Sequence, residues 1–199
     1  MAIIKGTARA DVLIGTTQAD QFHVNNQGDI IIGGNSQDQV LSTLASYELP
    51  PGLGSLVLST GADIGIGNDL ANRIGGNQRN NLLDGGAGMD ELTGGGGADV
   101  FSFSHAGQAH ADFVTDFQVG IDRIAINGAA FGLAAGTPVG YELNQQATGA
   151  GPTFIRMGSQ GTAQAIYFDR DGLGGQAAQL ICVLQTYAGA TSAADFAVI

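Results

Sequence analysis

The chain has 199 residues, with seven Lys and Arg against eighteen Asp and Glu, for a formal charge of −11. Neutralising nucleic-acid phosphates or an anionic lipid surface needs basic clusters, and the sequence has none. Glycine at 33 residues without a collagen-like period, beside 44% hydrophobic residues, points to a turn-rich solenoid with a core and not to a flexible linker.

The start, Met1-Ala-Ile-Ile-Lys5-Gly6, lacks the long apolar stretch of a Sec signal peptide, and no segment reaches the ~18–20 apolar residues of a transmembrane helix. A nine-residue ruler then begins. Asp11, Asp20, Asp29 and Asp38 stand nine apart, and Leu13, Phe22, Ile31 and Val40 each follow by two. Gly6, Gly15 and Gly33 open three of these units and Val24 the other. Glycines are replaced by Thr16-Thr17 and Val24-Asn25-Asn26, so these turns are not bound to present their carbonyls inward.

Val40 and Ile74 lie 34 residues apart, two short of four units. Strand centres near Glu48, Val57 and Gly65 divide this stretch into steps of eight or nine. Tyr47–Leu49, Leu56–Leu58 and Ile64–Ile66 are therefore expected strands joined by slightly tighter turns, one of them holding Pro50-Pro51. Asp63 again falls two before Gly65.

Gly67–Ser102 restores the full period in four units. Asn72 and Asn81 hold the Asp place in the first two, followed by Ile74 and Leu83. The last two are clean: Gly85-Gly86-Ala-Gly88-Met-Asp90-Glu-Leu92-Thr, then Gly94-Gly95-Gly-Gly97-Ala-Asp99-Val-Phe101-Ser. Glycine reaches positive φ without steric cost, so about six residues reverse the chain. The Asp carboxylate and turn carbonyls are hard oxygen ligands, and the large apolar residue at the eighth place faces inward from a short strand. The coil is expected to run unbroken from about Gly6 to Phe103, as eleven short strands alternating between two parallel sheets.

Past Phe103 the ruler fails. Ser104–Ala111 is a polar connector carrying His105 and His110, read as solvated histidines because a helical metal pair needs i,i+4 spacing and a further ligand. Asp112–Phe117 and Asp122–Ile126 are expected strands around Val119-Gly120, and Ala129–Thr137 is a short helix or a loop. Thr153–Met157, Ala165–Asp169, Ala178–Leu184 and Asp195–Ile199 are further strands. The expected fold is thus all-β: a parallel β-roll over residues 1–103, then an antiparallel β cap over residues 104–199 that covers the open end of the coil. The lone Cys182 sits in an apolar run and reads as a buried core thiol.

Nothing nominates a catalytic centre. Gly94–Gly97 lacks the Gly-Lys-Ser/Thr ending of a phosphate loop, and neither His-Glu-x-x-His nor Gly-x-Ser-x-Gly occurs. Asp169-Arg-Asp171-Gly172-Leu-Gly174 begins like an EF-hand loop, but Leu180 stands where Glu is required, so a hairpin turn explains it better.

The nonapeptides at Gly85–Ser102 resemble the RTX, or haemolysin-type calcium-binding, family. Asp112-x-x-x-Asp116-Phe117 with Gly120-x-Asp122-x-Ile124 resembles the segment after the β-roll in its members, and Ala194–Ile199 resembles tails recognised by type I secretion systems. The resemblance implies several calcium ions, each between two turns on one edge of the roll. It would pair Asp11 with Asp29, Asp20 with Asp38, Asp63 with Asn81, Asn72 with Asp90, and Asn81 with Asp99. Turn glycines such as Gly85, Gly86, Gly88, Gly94, Gly95 and Gly97 would complete the shells.

Three points stay open at this level. The first-block Asp residues either bind ions or make metal-free Asx-turns. Asn72 and Asn81 are either neutral ligands or members of an amide ladder. Asp112 is either an added ligand or an ordinary turn carboxylate. The resemblance further implies a protein exported from a Gram-negative bacterium by a type I exporter to the cell surface or medium. A structural subunit that self-associates into fibres or layers is the expected role, with no catalytic activity. The alternatives are the secretion and folding module of an exported hydrolase, or a calcium-dependent adhesin. The start at Met1 and the tail ending at Ile199 are what a complete chain would show.

Overall fold

A short strand whose middle residue points inward gives each nine-residue unit one core side chain. The computed structural model describes residues 1–143, 147–158, 163–172, 177–185 and 189–199. Its first strands are β1 (Ile3–Lys5), β2 (Val12–Ile14), β3 (Gln21–Val24), β4 (Ile30–Ile32), β5 (Gln39–Ser42) and β6 (Ser46–Glu48). There follow β7 (Ser55–Leu58), β8 (Ile64–Ile66), β9 (Arg73–Gly75), β10 (Leu82–Asp84), β11 (Glu91–Thr93) and β12 (Val100–Phe103). Odd strands stack in parallel in one sheet and even strands in the opposing layer, which is a parallel β-roll. Leu13, Phe22, Val40, Leu56, Ile74, Leu83, Leu92 and Phe101 fill the space between. The expected eleven strands are β2 to β12, and β1 adds an earlier rung by pairing Ile4 with Phe22.

The middle segment departs from the expected steps. The pairings Val40 with Leu56 and Tyr47 with Gly65 put Tyr47 and Leu56, not Glu48 and Val57, at the inward places. The two-residue shortfall is absorbed in one turn, since Val40 and Tyr47 are seven apart while Tyr47, Leu56, Gly65 and Ile74 keep nine. Side-chain period decides this: a slip of one residue would turn Leu56 and Leu58 out to solvent. At the short turn the second layer divides, and β2 and β4 form a two-stranded sheet separate from the one that begins at β6.

The nine-residue spacing ends at Phe103, but the sheets do not. β13 (Asp112–Val114) stacks in parallel on β11, and β14 (Arg123–Ile126) on β12. After a single-turn helix α1 (Gly128–Phe131) come β15 (Gly140–Leu143), β16 (Thr153–Met157), β17 (Gln164–Asp169), β18 (Gln179–Leu184) and β19 (Phe196–Val198). The expected antiparallel cap is the β16–β17–β18 meander, joined to the roll because β18 pairs in parallel with β13. β19 likewise pairs in parallel with β14, and β15, which the sequence did not suggest, pairs in parallel with β16.

The tail is locked in place. Ser192 and Asp195 form a capping box, Asp195 Oδ1 accepts from Gly120 N at 3.0 Å, and Phe196 packs on Tyr141 and Phe154 with ring centroids at 5.1 and 4.8 Å. Cys182 is buried, and burial pushes its thiol well above the usual range. No helix among the described residues is long and apolar enough to cross a membrane.

Candidate metal centres

The turns before even strands lie along one edge of the roll and those before odd strands along the other. The residue just ahead of each strand is then Asp11, Asp29, Ala45, Asp63, Asn81, Asp99 and Asp122 on the first edge. On the second it is Asp20, Asp38, Gly54, Asn72 and Asp90, and Asp112, the first residue of β13, holds the same register one coil on. Most are tied to the next by one recurrent bond, in which Oδ1 accepts the backbone N–H of the equivalent residue one coil earlier. Asp29 takes it from Asp11 (3.0 Å), Asp38 from Asp20 (2.7 Å), Asp90 from Asn72 (2.7 Å) and Asp99 from Asn81 (2.8 Å). Asp112 takes it from Asp90 and Asp122 from Asp99, both at 2.9 Å. The ladder is missing where Ala45 and Gly54 stand, beside the short turn, and between Asp63 and Asn81, whose Oδ1 accepts from Asn77 N instead.

What the second carboxylate oxygen does divides the ladder into three parts. In the first block it caps its own turn. Asp11 Oδ2 accepts from Thr7 N and Oγ1, Asp20 Oδ2 from Thr16 N and Oγ1, Asp29 Oδ2 from Asn25 N and Asn26 N, and Asp38 Oδ2 from Asn35 N. The backbone N–H of Thr7 and of Thr16 holds Asp11 and Asp20 below the usual carboxylate range. Non-glycine turn residues thus supply the partners of a metal-free Asx arrangement.

In the middle, amides bridge the turns. Asn68 Nδ2 donates to Pro50 O and Leu53 O, both at 2.8 Å, and Asn72 Nδ2 to Leu53 O at 3.2 Å. One rung on, Asn77 Nδ2 donates to Ser59 O (3.1 Å) and Ala62 O (2.6 Å), and Asn81 Nδ2 to Ala62 O (3.1 Å). This is the amide ladder, with carbonyls satisfied by protein N–H groups. Asp63 contributes only its backbone carbonyl, 3.4 Å from Asn81 Nδ2, while its carboxylate lies 3.0 Å from Arg79 Nε.

In the glycine-complete turns the second oxygen has neither kind of partner. Asp90 Oδ2 and Asp99 Oδ2 are buried and make no hydrogen bond. A Cβ on Gly85 would lie 2.2 Å from Asp90 Oδ2, and one on Gly94 2.2 Å from Asp99 Oδ2. Gly86 and Gly95 hold φ of 86° and 93° directly over the Asn68 and Asn77 carbonyls. Burial raises Asp99 to about 6 and lifts Asp122 as well. It also lifts the contacting pair Asp90 and Asp112 out of the carboxylate range.

Desolvated carboxylate oxygens that accept no hydrogen bond, beside stacked carbonyls, are a donor set for a hard cation, and they fit calcium. No three His, Cys, Asp or Glu side chains converge on one point among the described residues. Any ion there would therefore draw on turn carbonyls as well as carboxylates, as calcium does.

Asp116 and Asp122, quoted above only as part of the segment after the roll, also belong to the edges of the coil. Asp116 accepts from Gly94 N and Gly95 N at 2.8 Å each, pinning the last glycine turn from the coil above. Asp122 continues the first edge 23 residues after Asp99, so the nine-residue ruler passes over it, although Gly120-x-Asp122-x-Ile124 keeps the turn–Asp–strand order. His105 and His110 are not simply solvated. His105 Nδ1 lies 3.0 Å from Gly86 O, and Gly88 N donates to His110 Nδ1 at 3.1 Å, so the long connector is laid over the Gly85–Asp90 turn. In the EF-hand-like stretch, Asp169 Oδ1 accepts from Asp171 N and Gly172 N, an Asx-turn after β17; Leu173 and Gly174 lie outside the described residues.

The family model "Peptidase M10 serralysin C terminal" matches residues 29–139, more than half of the chain. The chain belongs to the serralysin C-terminal family. The matched span crosses Phe103, in keeping with sheets that continue past the last nonapeptide. The RTX calcium-binding nonapeptide repeat, in four copies, matches residues 5–40, and neither model describes a catalytic domain. Among solved structures, the chain is similar to the AlgE6R3 subunit of the Azotobacter vinelandii mannuronan C5-epimerase, determined in solution. It is 28% identical, covering 83% of this chain and 80% of that one, with a TM-score of 0.36. No curated protein matches. RTX repeats of this serralysin C-terminal type bind calcium and mark a secreted protein.

Proposed function

We propose that this serralysin C-terminal chain is a folding and export module. It leaves a Gram-negative bacterium unfolded through a type I exporter and folds outside on calcium, held by Asp90, Asp99 and Asp112 with the turn carbonyls of Gly85–Gly88 and Gly94–Gly97, while Asp122, whose two oxygens accept from Asp99 N and Gln118 N, caps its own turn. The observation that carries this is the buried, unpartnered Oδ2 of Asp90 and of Asp99 in turns that only glycine can line. Without a cation these carboxylates oppose folding; with one they hold adjacent turns together. At millimolar calcium a site of ~10⁻⁴ M gains about 1.4 kcal/mol by mass action, and several such sites reach a large part of the ~5–15 kcal/mol that stabilises a domain. At sub-micromolar calcium they supply almost nothing.

Of the three roles the sequence suggests, a structural subunit, the secretion module of an exported hydrolase and a calcium-dependent adhesin, the family match favours the module. Self-association into layers or fibres remains the specific mark of the structural role; in the first block, Asp11 to Asp38, which the calcium-binding repeat matches, the carboxylates already cap their own turns, so calcium is held more weakly there than at Asp90 and Asp99. Circular dichroism tests the folding step: mostly disordered chain in chelator, β-structure at millimolar calcium, and little response to magnesium, which demands tighter octahedral geometry. Retention of the full β signal and the same melting temperature in chelator would end this reading.

A further inference from the structure

Six turns of the roll cap themselves. A Thr or Asn side chain accepts the backbone N–H two residues ahead: Thr7 from Arg9 N, Thr16 from Gln18 N, Asn26 from Gly28 N, Asn35 from Gln37 N, Asn68 from Leu70 N and Asn77 from Arg79 N, at 2.8–3.3 Å. Such local bonds fix the path of a turn. In Gly85–Asp90 the residue standing where Asn68 and Asn77 stand is Gly86, which has no side chain. The acceptor comes from farther along the chain: Gly88 N donates to His110 Nδ1 at 3.1 Å. A backbone N–H can only donate, so Nδ1 holds the lone pair and the His110 proton sits on Nε2. His105 acts on the same turn in the opposite sense, its Nδ1–H donating to Gly86 O at 3.0 Å. Asp90 and Asp112 are 22 residues apart where Asn72 and Asp90 are 18 apart, and the added length holds the single 3₁₀ turn Gln108–His110 that carries the ring. Gly107 N donates to Leu180 O at 2.8 Å, which ties this connector to β18.

We propose that His110 is a positioning residue of the calcium site at Asp90, capping from outside a turn whose glycines leave it unable to cap itself. The glycines are required where they stand. Gly86 has φ of 86°, and a Cβ there would lie 2.6 Å from Asn68 O. Gly88 has φ of 119°, and a Cβ there would lie 2.7 Å from Leu70 O. Glycine backbone has the most conformational freedom to lose, so an uncapped turn must give that freedom up when it closes on an ion. A cap that already holds Gly88 N removes part of the cost beforehand, as preorganisation does. The Gly94–Asp99 turn is held at other points: Asp116 accepts from Gly94 N and Gly95 N, and Asn80 Oδ1 from Ala98 N. It therefore serves as an internal control. The Phe117–Asp122 turn repeats the device, since Gly120 N donates to Asp195 Oδ1 of the tail at 3.0 Å. The inference rests on the proposed calcium site at Asp90 and does not depend on the export step.

Release of calcium from the loaded full chain into a fluorescent chelator resolves the ions by rate and tests the cap. In His110→Ala one phase should run about three- to tenfold faster, the range that one hydrogen bond provides, and the others should not change. Asp90→Asn should quicken that same phase, which assigns it. His110→Asn, which puts Oδ1 where Nδ1 stands, should restore the wild-type rate, whereas His110→Gln, which reaches the place of Nε2, should not. In the loaded chain the Gly88 amide should exchange faster in His110→Ala and regain its protection in His110→Asn, while the Gly97 amide stays as in the wild type. The proposal is overturned by unchanged release in His110→Ala, by all phases quickening together as a general loss of stability would give, or by Gln rescuing as well as Asn. If His110→Ala does not fold, the other two variants decide: His110→Asn must match the wild type and His110→Gln must quicken one phase, and any other result refutes the cap. Unchanged release with normal calcium-dependent folding would refute the cap alone. A chain that keeps its full β signal in chelator would end the proposed folding role and leave these rates readable.

Discussion

Replacing Asn77 by Ala separates the two ways in which this roll joins its turns. The substitution keeps Cβ and leaves the backbone path unchanged. It removes the Nδ2 bonds to Ser59 O (3.1 Å) and Ala62 O (2.6 Å) and the Oδ1 bond from Arg79 N (2.8 Å). Ala62 O keeps Asn81 Nδ2 and Ser59 O keeps Ala62 N, so no carbonyl is wholly orphaned. Three partly exposed bonds at ~0.5–1 kcal/mol each give a loss of about 2 kcal/mol. For a chain of this size that lowers the melting temperature by about 4–8 °C. The amide bridge needs no ion, so the loss should be the same in chelator at whatever structure persists there as in millimolar calcium. The contrasting variant is Asp99→Asn. It removes a desolvated charge at constant shape, so it should raise stability in chelator and lower it in calcium. Thermal melts of both variants in both buffers form the assay. If the Asn77→Ala loss appeared only with calcium, these turns would be ion sites and the division of the ladder would be wrong.

Calorimetric titration should show Asp90→Ala and Asp99→Ala weakening calcium binding more than Asp20→Ala, because Asp20 already has Thr16 N and Ala2 N as partners; the reverse order refutes the assignment. The pH dependence should change sign with the ion. Burial raises Asp99 in the metal-free fold to about 6, against an ordinary value near 3.9. Between those values the folded chain binds more protons than the unfolded one, so its metal-free stability falls as pH rises through the window. Calcium competes with the same protons, so its affinity should rise over that window, and melts at pH 5 and pH 7.5 with and without calcium decide the matter. Deleting Phe196–Ile199 exposes the edge of β14 and removes Phe196 and Val198, which are 6% and 5% exposed. The expected loss is about 3–6 kcal/mol, together with failure of export in a reconstituted type I system; normal secretion of the truncated chain would place the signal elsewhere.

The ruler made the inward face of the roll legible because nine residues always return to one place in the coil. Phe22, Val40, Ile74, Leu83, Leu92 and Phe101 are all buried as the spacing requires. It failed where the turn length changed. The expected steps spread the two missing residues over two turns, but side-chain period forbids a one-residue slip, so Thr43–Ala45 takes both. Beyond Phe103 the strands were mostly visible and their partners were not. β13 and β14 pair back over 22 and 23 residues, and β18 reaches β13 across some 70, distances that no local pattern encodes. The candidate sites showed the same limit. Asp and Asn could be placed on the edges from spacing, yet only hydrogen bonds distinguish Asp20, whose Oδ2 is capped, from Asp99, whose Oδ2 makes no hydrogen bond. That difference comes from Thr or Gly in the preceding turn.

Amide rungs and acid rungs occupy different stretches of the coil, and this sets an order of assembly. The rungs bridged by Asn68, Asn72, Asn77 and Asn81 hold β7 to β10 together with protein groups alone. The acid rungs follow at Asp90, Asp99, Asp112 and Asp122, and the tail docks beyond them, β19 on β14. On the proposed reading the tail cannot take its place until the Asp99–Asp122 rung closes, and that rung closes only where calcium is abundant. An exporter inside the cell therefore meets a free tail, while outside the same residues are withdrawn into a sheet, which gives transport a direction. Hydrogen exchange in chelator tests the order. Amides of Ser55–Leu58, Ile64–Ile66, Arg73–Gly75 and Leu82–Asp84 should retain partial protection, while those of Val100–Phe103, Arg123–Ile126 and Phe196–Val198 should exchange at nearly unfolded rates. Calcium should then protect the second group in a single step. Equal protection of both groups in chelator would mean that the tail docks without the ion, and the directional argument would fail.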